Sequence, residues 1–287
     1  MATQQKGDFM NKFMLMLAVL ALFSLNAKEW KDISYYEKDA PVQGDLAYRT
    51  ERCKLDLRVP DRRTKFPTLV WFHGGGIKKG SKKIAPIINT QAVAVAAVNY
   101  RLSPRAQCPD YIYDAAAAVA WVIKNIEKFG GDPKQVYVSG ISAGGYLTAM
   151  VTLDKRYLAT FGVSNMQIAG AFPISGQMST HFQILNERRA KDPSVRDFMI
   201  DEYAPIYHAA KETPPMTLLA GDSNLDWPAR VEENQLLAMR MKRVYKNEKV
   251  VFYSIPGTNH GTCTRPSLAI VNDILSKISQ KVSQINK

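Results

Sequence analysis

The chain has 287 residues, enough for one large α/β domain or two small ones. Its composition, 46% hydrophobic and 22% charged, excludes collagen-like, coiled-coil and disordered architectures. The net charge of +12 is spread along the whole chain, with no aromatic-interleaved basic stripe and no nucleic-acid motif, so it describes a cationic surface and gives no reason to expect a nucleic-acid partner.

Phe13 to Leu25 is an apolar run broken only by Ser24, preceded by Lys12 and followed by Leu25-Asn26-Ala27. That is the order of a secretory signal peptide, so residues 1–27 are expected to be removed on export. A secreted or periplasmic protein follows, with no stable membrane insertion after cleavage. The run is short for a bilayer span. An uncleaved anchor or a buried first helix is the alternative.

Beyond about Ser34, short apolar runs alternate with helical patterns. Leu55–Val59 alternates polar and apolar as a half-exposed strand does, and Thr68–Phe72 is a compact apolar strand. Ala92–Val98, almost pure Ala and Val, suits a strand buried on both faces. Tyr111–Phe129 carries Val119, Val122, Ile123 and Ile126 at helical spacing, with Gly130-Gly131 to stop it and Asp132-Pro133 to turn the chain. Strands are expected at Gln135–Ser139, Ile168–Ile174, Met216–Ala220 and Val250–Ile255, and helices at Tyr146–Leu153, Val231–Tyr245 and Ser267–Ile285. The alternation implies an α/β fold: a mostly parallel sheet with helices on both faces, in one domain over residues 28–287. Gly176–Pro215 is too long for a connecting loop and too apolar for disorder, so a small cap above the carboxyl ends of the strands is expected over 176–215. The three cysteines, Cys53, Cys108 and Cys263, fit no zinc pattern and allow at most one disulfide.

The chemistry centres on Gly140-Ile141-Ser142-Ala143-Gly144, between a strand and a helix. A nucleophile at so tight a turn needs tiny neighbours, and Gly140, Ala143, Gly144 and Gly145 supply them. The helix dipole favours an anion developing there. His73-Gly74-Gly75-Gly76 ends the strand Thr68–Phe72. Its glycines let backbone N–H groups approach a carbonyl oxygen, so Gly75, Gly76 and Ala143 are the expected oxyanion donors and His73 shapes the loop. A base is expected after the last strand, where His260 lies in Pro256-Gly257-Thr258-Asn259-His260-Gly261. The acid is expected after Met216–Ala220. Asp222 is the first carboxylate there and is favoured over Asp226, whose alternative role is capping the next helix. No cofactor and no metal is called for by this set.

Together these residues resemble the hormone-sensitive-lipase-like and carboxylesterase-type α/β-hydrolases, over nearly the whole of residues 28–287. Ala97-Val98-Asn99-Tyr100-Arg101-Leu102-Ser103 is similar to that family's strand-end signature, and Phe129-Gly130-Gly131-Asp132-Pro133 to its turn before the nucleophile strand. Gly176-Gln177-Met178, Thr180-His181-Phe182 and Val231-Glu232-Glu233-Asn234 also resemble secreted bacterial esterases, some acting on esterified plant polysaccharides. The resemblance implies an α/β-hydrolase fold and carboxylic-ester hydrolysis by Ser142, His260 and Asp222, on a small-molecule or polysaccharide ester. The small cap, with no long apolar segment to shelter a lipid chain, points to short acetyl-type acyl groups. His73 and His181 are expected to contact the substrate. One departure matters: many relatives carry an acidic residue two after the Gly-Asp pair, where this chain has Asn224. A peptidase or amidase on the same triad, and a catalytically silent glycan-binding protein on the same fold, are the alternatives. Lys78, Lys79, Lys82 and Lys83 follow the glycine loop and either form a solvated surface or attract acidic esters. Cys263, three residues beyond His260, is expected to be a buried, inert thiol.

Overall fold

The computed structural model describes residues 27–37, 40–41, 44–61, 64–84, 88 and 92–285. The expected signal peptide lies, but for Ala27, outside the described residues.

Among the described residues eight strands form one sheet in the order β1-β2-β4-β3-β5-β6-β7-β8. They are β1 (Lys28–Ser34), β2 (Lys54–Val59), β3 (Phe66–Phe72), β4 (Ala94–Val98), β5 (Gly131–Ile141), β6 (Gly170–Ile174), β7 (Met216–Ala220) and β8 (Val250–Ser254). Both pairings of β2 are antiparallel, and every pairing from β4 to β8 is parallel. Among the described residues seven α-helices accompany them: α1 (Leu46–Arg52), α2 (Asp110–Asn125), α3 (Ala143–Leu153), α4 (Lys155–Ala159), α5 (Phe182–Arg189), α6 (Arg230–Met239) and α7 (Thr264–Ile285).

Strand period sorts the core. In β3, Val70 and Phe72 pack with α2 and the start of α3, whereas Leu69 and Trp71 pack with Leu268, Val271 and Leu275 of α7 on the opposite face. A third cluster joins Met216, Leu218 and Val250 to Leu237 of α6 and to Met178 and Ile206. β3 and β4 are buried throughout, which is why they read as continuous apolar runs.

The expected elements are present with shifted ends. The helix read to Phe129 is α-helical to Asn125 and 3₁₀ from Ile126 to Phe129, where Gly130 turns it at φ 91. Asp132-Pro133 does not turn the chain away from the sheet. It lies within β5 at an irregularity where Phe66 and Thr68 of β3 pair with Gly131 and Val136. The missed β1 is a mostly exposed edge strand, so no apolar alternation announces it.

Segment 176–215 holds α5 and lies over loops at the carboxyl ends of the strands. Gln183 Nε2 donates to Ser103 Oγ at 2.9 Å, and Glu187 Oε2 accepts from Cys108 N at 3.0 Å. All three cysteines are free.

The Asn-Tyr-Arg-Leu stretch leaving β4 is structural. Arg101 and Asp114 are both wholly buried, and the guanidinium meets the carboxylate through Nη2 at 2.8 Å and Nε at 2.9 Å. Asp114 also accepts Arg101 N and the Tyr36 hydroxyl, which ties the β4 exit to α2. Removing one partner strands the other's charge in the core. Asp114→Ala is therefore expected to lower the unfolding free energy by about 3–5 kcal/mol, measured by denaturant titration.

Candidate active site

Ser142 occupies the turn between β5 and α3 at φ 57 and ψ −117, a conformation few non-glycine residues adopt. The neighbouring small residues are a steric requirement. A Cβ on Gly144 would lie 2.2 Å from the Phe72 carbonyl oxygen, and one on Gly140 would lie 2.5 Å from the Gly144 backbone. The turn is tied to β6 by Ser142 N donating to Ile174 O at 2.8 Å.

Three strand ends meet above this turn. His260, on the loop after β8, has Nε2 2.9 Å from Ser142 Oγ and Nδ1 2.8 Å from Asp226 Oδ1. Asp226, not Asp222, is the carboxylate that meets His260. The reason is the turn after β7, in which Leu225 N and Asp226 N both donate to Asp222 O and carry the chain round by one helical turn. Asp222 faces away, accepting from Asn224 N and from Gly257 N at 2.9 Å. It fastens the β7 exit to the loop that carries His260. Asn224 is exposed, its N–H directed to Asp222.

Ser175, the residue after β6, is a member of this cluster that the sequence reading missed. It is wholly buried, at φ 44, with Oγ 2.8 Å from Asp226 Oδ2 and 2.9 Å from His260 Nδ1. One proton assignment satisfies the set: Ser142 O–H donates to Nε2, Nδ1–H to Asp226 Oδ1, and Ser175 O–H to Asp226 Oδ2. Asp226 also accepts Gly221 N at 2.8 Å and Trp227 N at 2.7 Å. Burial alone would raise the Asp226 carboxyl, but the donors from His260, Gly221, Trp227 and Ser175 outweigh it and hold it at about 2.

Residues 55–238, well over half of the chain, match the BD-FAE family. The chain belongs to the BD-FAE family. It is 29% identical over 248 residues to the probable carboxylic ester hydrolase LipM of Mycobacterium tuberculosis, covering 80% of this chain and 55% of that protein. The chain thus spans about half the length of the curated relatives it matches. Among solved structures, a thermophilic esterase of Thermogutta terrifontis superposes with a TM-score of 0.64 at 20% identity, covering 88% of this chain and 92% of that one. A carbohydrate esterase from gut microbiota gives 0.65 at 18%, covering 90% and 98%. At such identities the likeness concerns the fold, and the fold is the α/β-hydrolase fold.

In this BD-FAE chain the glycine loop lies against the turn: a Cβ on Gly74 would be 3.4 Å from Ser142 Cβ. Gly75, at φ 113, has no room for a side chain, since a Cβ there would lie 2.0 Å from Lys79 O. Ala143, the first residue of α3, has no intrahelical acceptor for its N–H.

Neither histidine expected to contact substrate is placed to do so. His73 is buried behind the loop, stacked on Tyr100 at 4.4 Å, with Nδ1 2.7 Å from Gly74 O. Burial lowers it to about 4, so it is neutral at neutral pH. His181 is 1% exposed and caps α5, its Nδ1 accepting from Gln183 N. Burial holds it neutral too. Its neighbour Phe182 reaches the cleft instead: a Cβ on Gly76 would touch Phe182 Cζ at 3.1 Å. Trp227, 46% exposed, stacks on the His260 ring at 4.2 Å and 11° and lies 6.2 Å from the Phe182 ring. Trp227 adjoins the acid in sequence, yet only the fold sets its ring against the base. Of the lysines after the glycine loop, Lys82 is paired with Asp56 and with Asp32, at 3.1 Å from the latter, while Lys78 and Lys79 are exposed. The Cys263 thiol is buried and pushed up to about 12, so it stays protonated. Among the described residues no group of side chains could hold a metal ion.

A carboxyl held at about 2 contributes stability above its unfolded value of 3.8, and that stability is lost as pH falls through the folded value. The chain is expected to lose about 2 kcal/mol of stability from this group between about pH 4 and pH 2. Asp226→Asn should flatten that part of the curve, read by urea titrations at a series of pH values.

Proposed function

We propose that this protein is a serine carboxylic-ester hydrolase that works through Ser142, His260 and Asp226. The observation that carries the reading is the unbroken hydrogen-bonded chain Ser142–His260–Asp226, with Nε2 at 2.9 Å from the hydroxyl and Nδ1 at 2.8 Å from the carboxylate. Ser142 Oγ attacks the ester carbonyl carbon as His260 Nε2 takes its proton. The backbone N–H groups of Gly75, Gly76 and Ala143 receive the oxyanion. The C–O bond to the alcohol then breaks, with His260 returning the proton to the leaving oxygen. Water repeats the sequence on acyl-Ser142 and releases the acid.

Asp226 holds His260 in the tautomer with a free Nε2 lone pair and stabilises the imidazolium that forms. Ser175 acts through Asp226 as a positioning residue, its O–H fixing one oxygen so that the other faces Nδ1. Phe182 narrows the space in front of Gly76, which favours a short acyl group of acetyl type. The exposed ring of Trp227 beside it offers a stacking surface for a sugar or aryl alcohol, in keeping with a polysaccharide ester. We place the protein outside the cytoplasm on the strength of the apolar run Phe13 to Leu25. No helix among the described residues is long and apolar enough to cross a membrane.

Ser142→Ala is expected to abolish hydrolysis of 4-nitrophenyl acetate and labelling by a fluorophosphonate probe. Undiminished turnover in that variant would end the proposal, and preference for an aminoacyl amide over the ester would redirect it to a peptidase. Asp226→Asn should lower kcat by about 10⁴, whereas Asp222→Asn should cost about tenfold or less. Ser175→Ala should lower kcat by roughly 10–100-fold with KM little changed, the loss of one hydrogen bond to a charged group. Ser175→Gly relieves the positive φ yet removes the same hydroxyl, so it should be as slow as Ser175→Ala. A fast Ser175→Gly would show that the backbone, not the hydroxyl, matters.

A further inference from the structure

Arg230, the first residue of α6, is only 5% exposed, and its Nε and Nη1 have no hydrogen-bond partner. A guanidinium carries five N–H donors and a permanent charge, so a buried one is ordinarily paired. The two carboxylates that act on it are already engaged. Glu233 accepts Met178 N, Ser179 N and the Ser179 hydroxyl. Asp226 is filled by His260, Ser175, Gly221 N and Trp227 N. The end of α6 adds to the positive field: its N-cap is Ala229 at φ 63, with no side-chain cap on the first turn.

This unanswered charge lies beside the reacting groups. The Arg230 guanidinium carbon is 5.9 Å from the centre of the Trp227 ring, and the same ring stacks on His260. Lys78 and Lys79, which follow the glycine loop, are exposed, and the net charge of +12 draws anions toward the surface.

We propose that Arg230 and the first turn of α6 form an anion subsite of the ester cleft, and that the natural substrate is an ester bearing a carboxylate, such as a uronic acid or a dicarboxylic half-ester supplies. This deepens the ester-hydrolase reading and rests on it. A carboxylate on either half of the ester would supply the bidentate acceptor that the guanidinium lacks.

Two substrate pairs place the charge. Mono-4-nitrophenyl succinate against 4-nitrophenyl butyrate tests the acyl half, and 4-acetoxybenzoate against methyl 4-acetoxybenzoate tests the alcohol half. The wild-type protein is expected to favour the carboxylate member of one pair in kcat/KM, through KM. Arg230→Met should erase about tenfold of that preference, and Arg230→Lys should restore part of it, since the charge returns without the fork. Calorimetric binding of 4-acetoxybenzoate and its methyl ester to Ser142→Ala reads the subsite without turnover. Carboxylate binding there with no hydrolysis of any ester supports the subsite and sinks the ester-hydrolase reading. No carboxylate preference in either pair or in binding overturns the subsite, as does an Arg230→Lys or Arg230→Met that slows both members of a pair equally.

Discussion

A Cβ on Gly144 would sit 2.2 Å from the Phe72 carbonyl oxygen, and the rest of the site depends on that closeness. With α3 pressed against the end of β3, Ser142 has only the sharp turn at φ 57 by which to leave β5. The turn lifts its hydroxyl over the sheet and sets it at the start of a helix. The same contact holds the glycine loop against Ser142, because that loop is the direct continuation of β3. The proposed nucleophile and oxyanion donors are thus placed by one packing constraint between two neighbouring strands.

The other half of the site is assembled from strand ends distant in sequence. β6, β7 and β8 lie side by side, so Ser175, Asp226 and His260 emerge next to one another. Gly145 and Gly176 are in contact, which seats the end of β6 on α3 and aims Ser175 at the carboxylate. Four donors hold Asp226, and an indole covers one face of His260. The proposed base, fixed in this way, needs little reorganisation when a proton moves. The cost is local: positive φ at Ser142 and Ser175, and a buried cation at Arg230. Positive φ at Ser142, Ser175 and Ala229 and the unpartnered donors of Arg230 lie close together, which is the pattern expected where binding and chemistry are placed.

The outer wall depends on the 176–215 segment, whose α5 brings Phe182 to Gly76 while His181 turns inward to cap the same helix. Adjacent residues of a helix start point in different directions, so a motif that names both cannot say which one faces substrate. The same limit applied to His73, which shares a loop with the glycines yet stacks behind it on Tyr100.

The sequence by itself determined the alternation of strands and helices from β2 onward, the mostly parallel sheet, and the candidacy of Ser142, the glycine loop and His260. Each of these is signalled locally, by apolar period, by a run of glycines where no side chain fits, or by a loop position after a strand. The tertiary structure decided the carboxylate that meets His260: the sequence favours Asp222, the first after the strand, but the helical turn that follows β7 brings Asp226 to Nδ1 instead. It also decided Ser175, whose partners lie 51 and 85 residues away, Trp227, whose ring meets those of His260 and Phe182, and Arg230, two of whose donor nitrogens are buried without an acceptor. A contact between the ends of separate strands leaves no period in the chain, so it becomes legible only when the sheet sets those ends side by side.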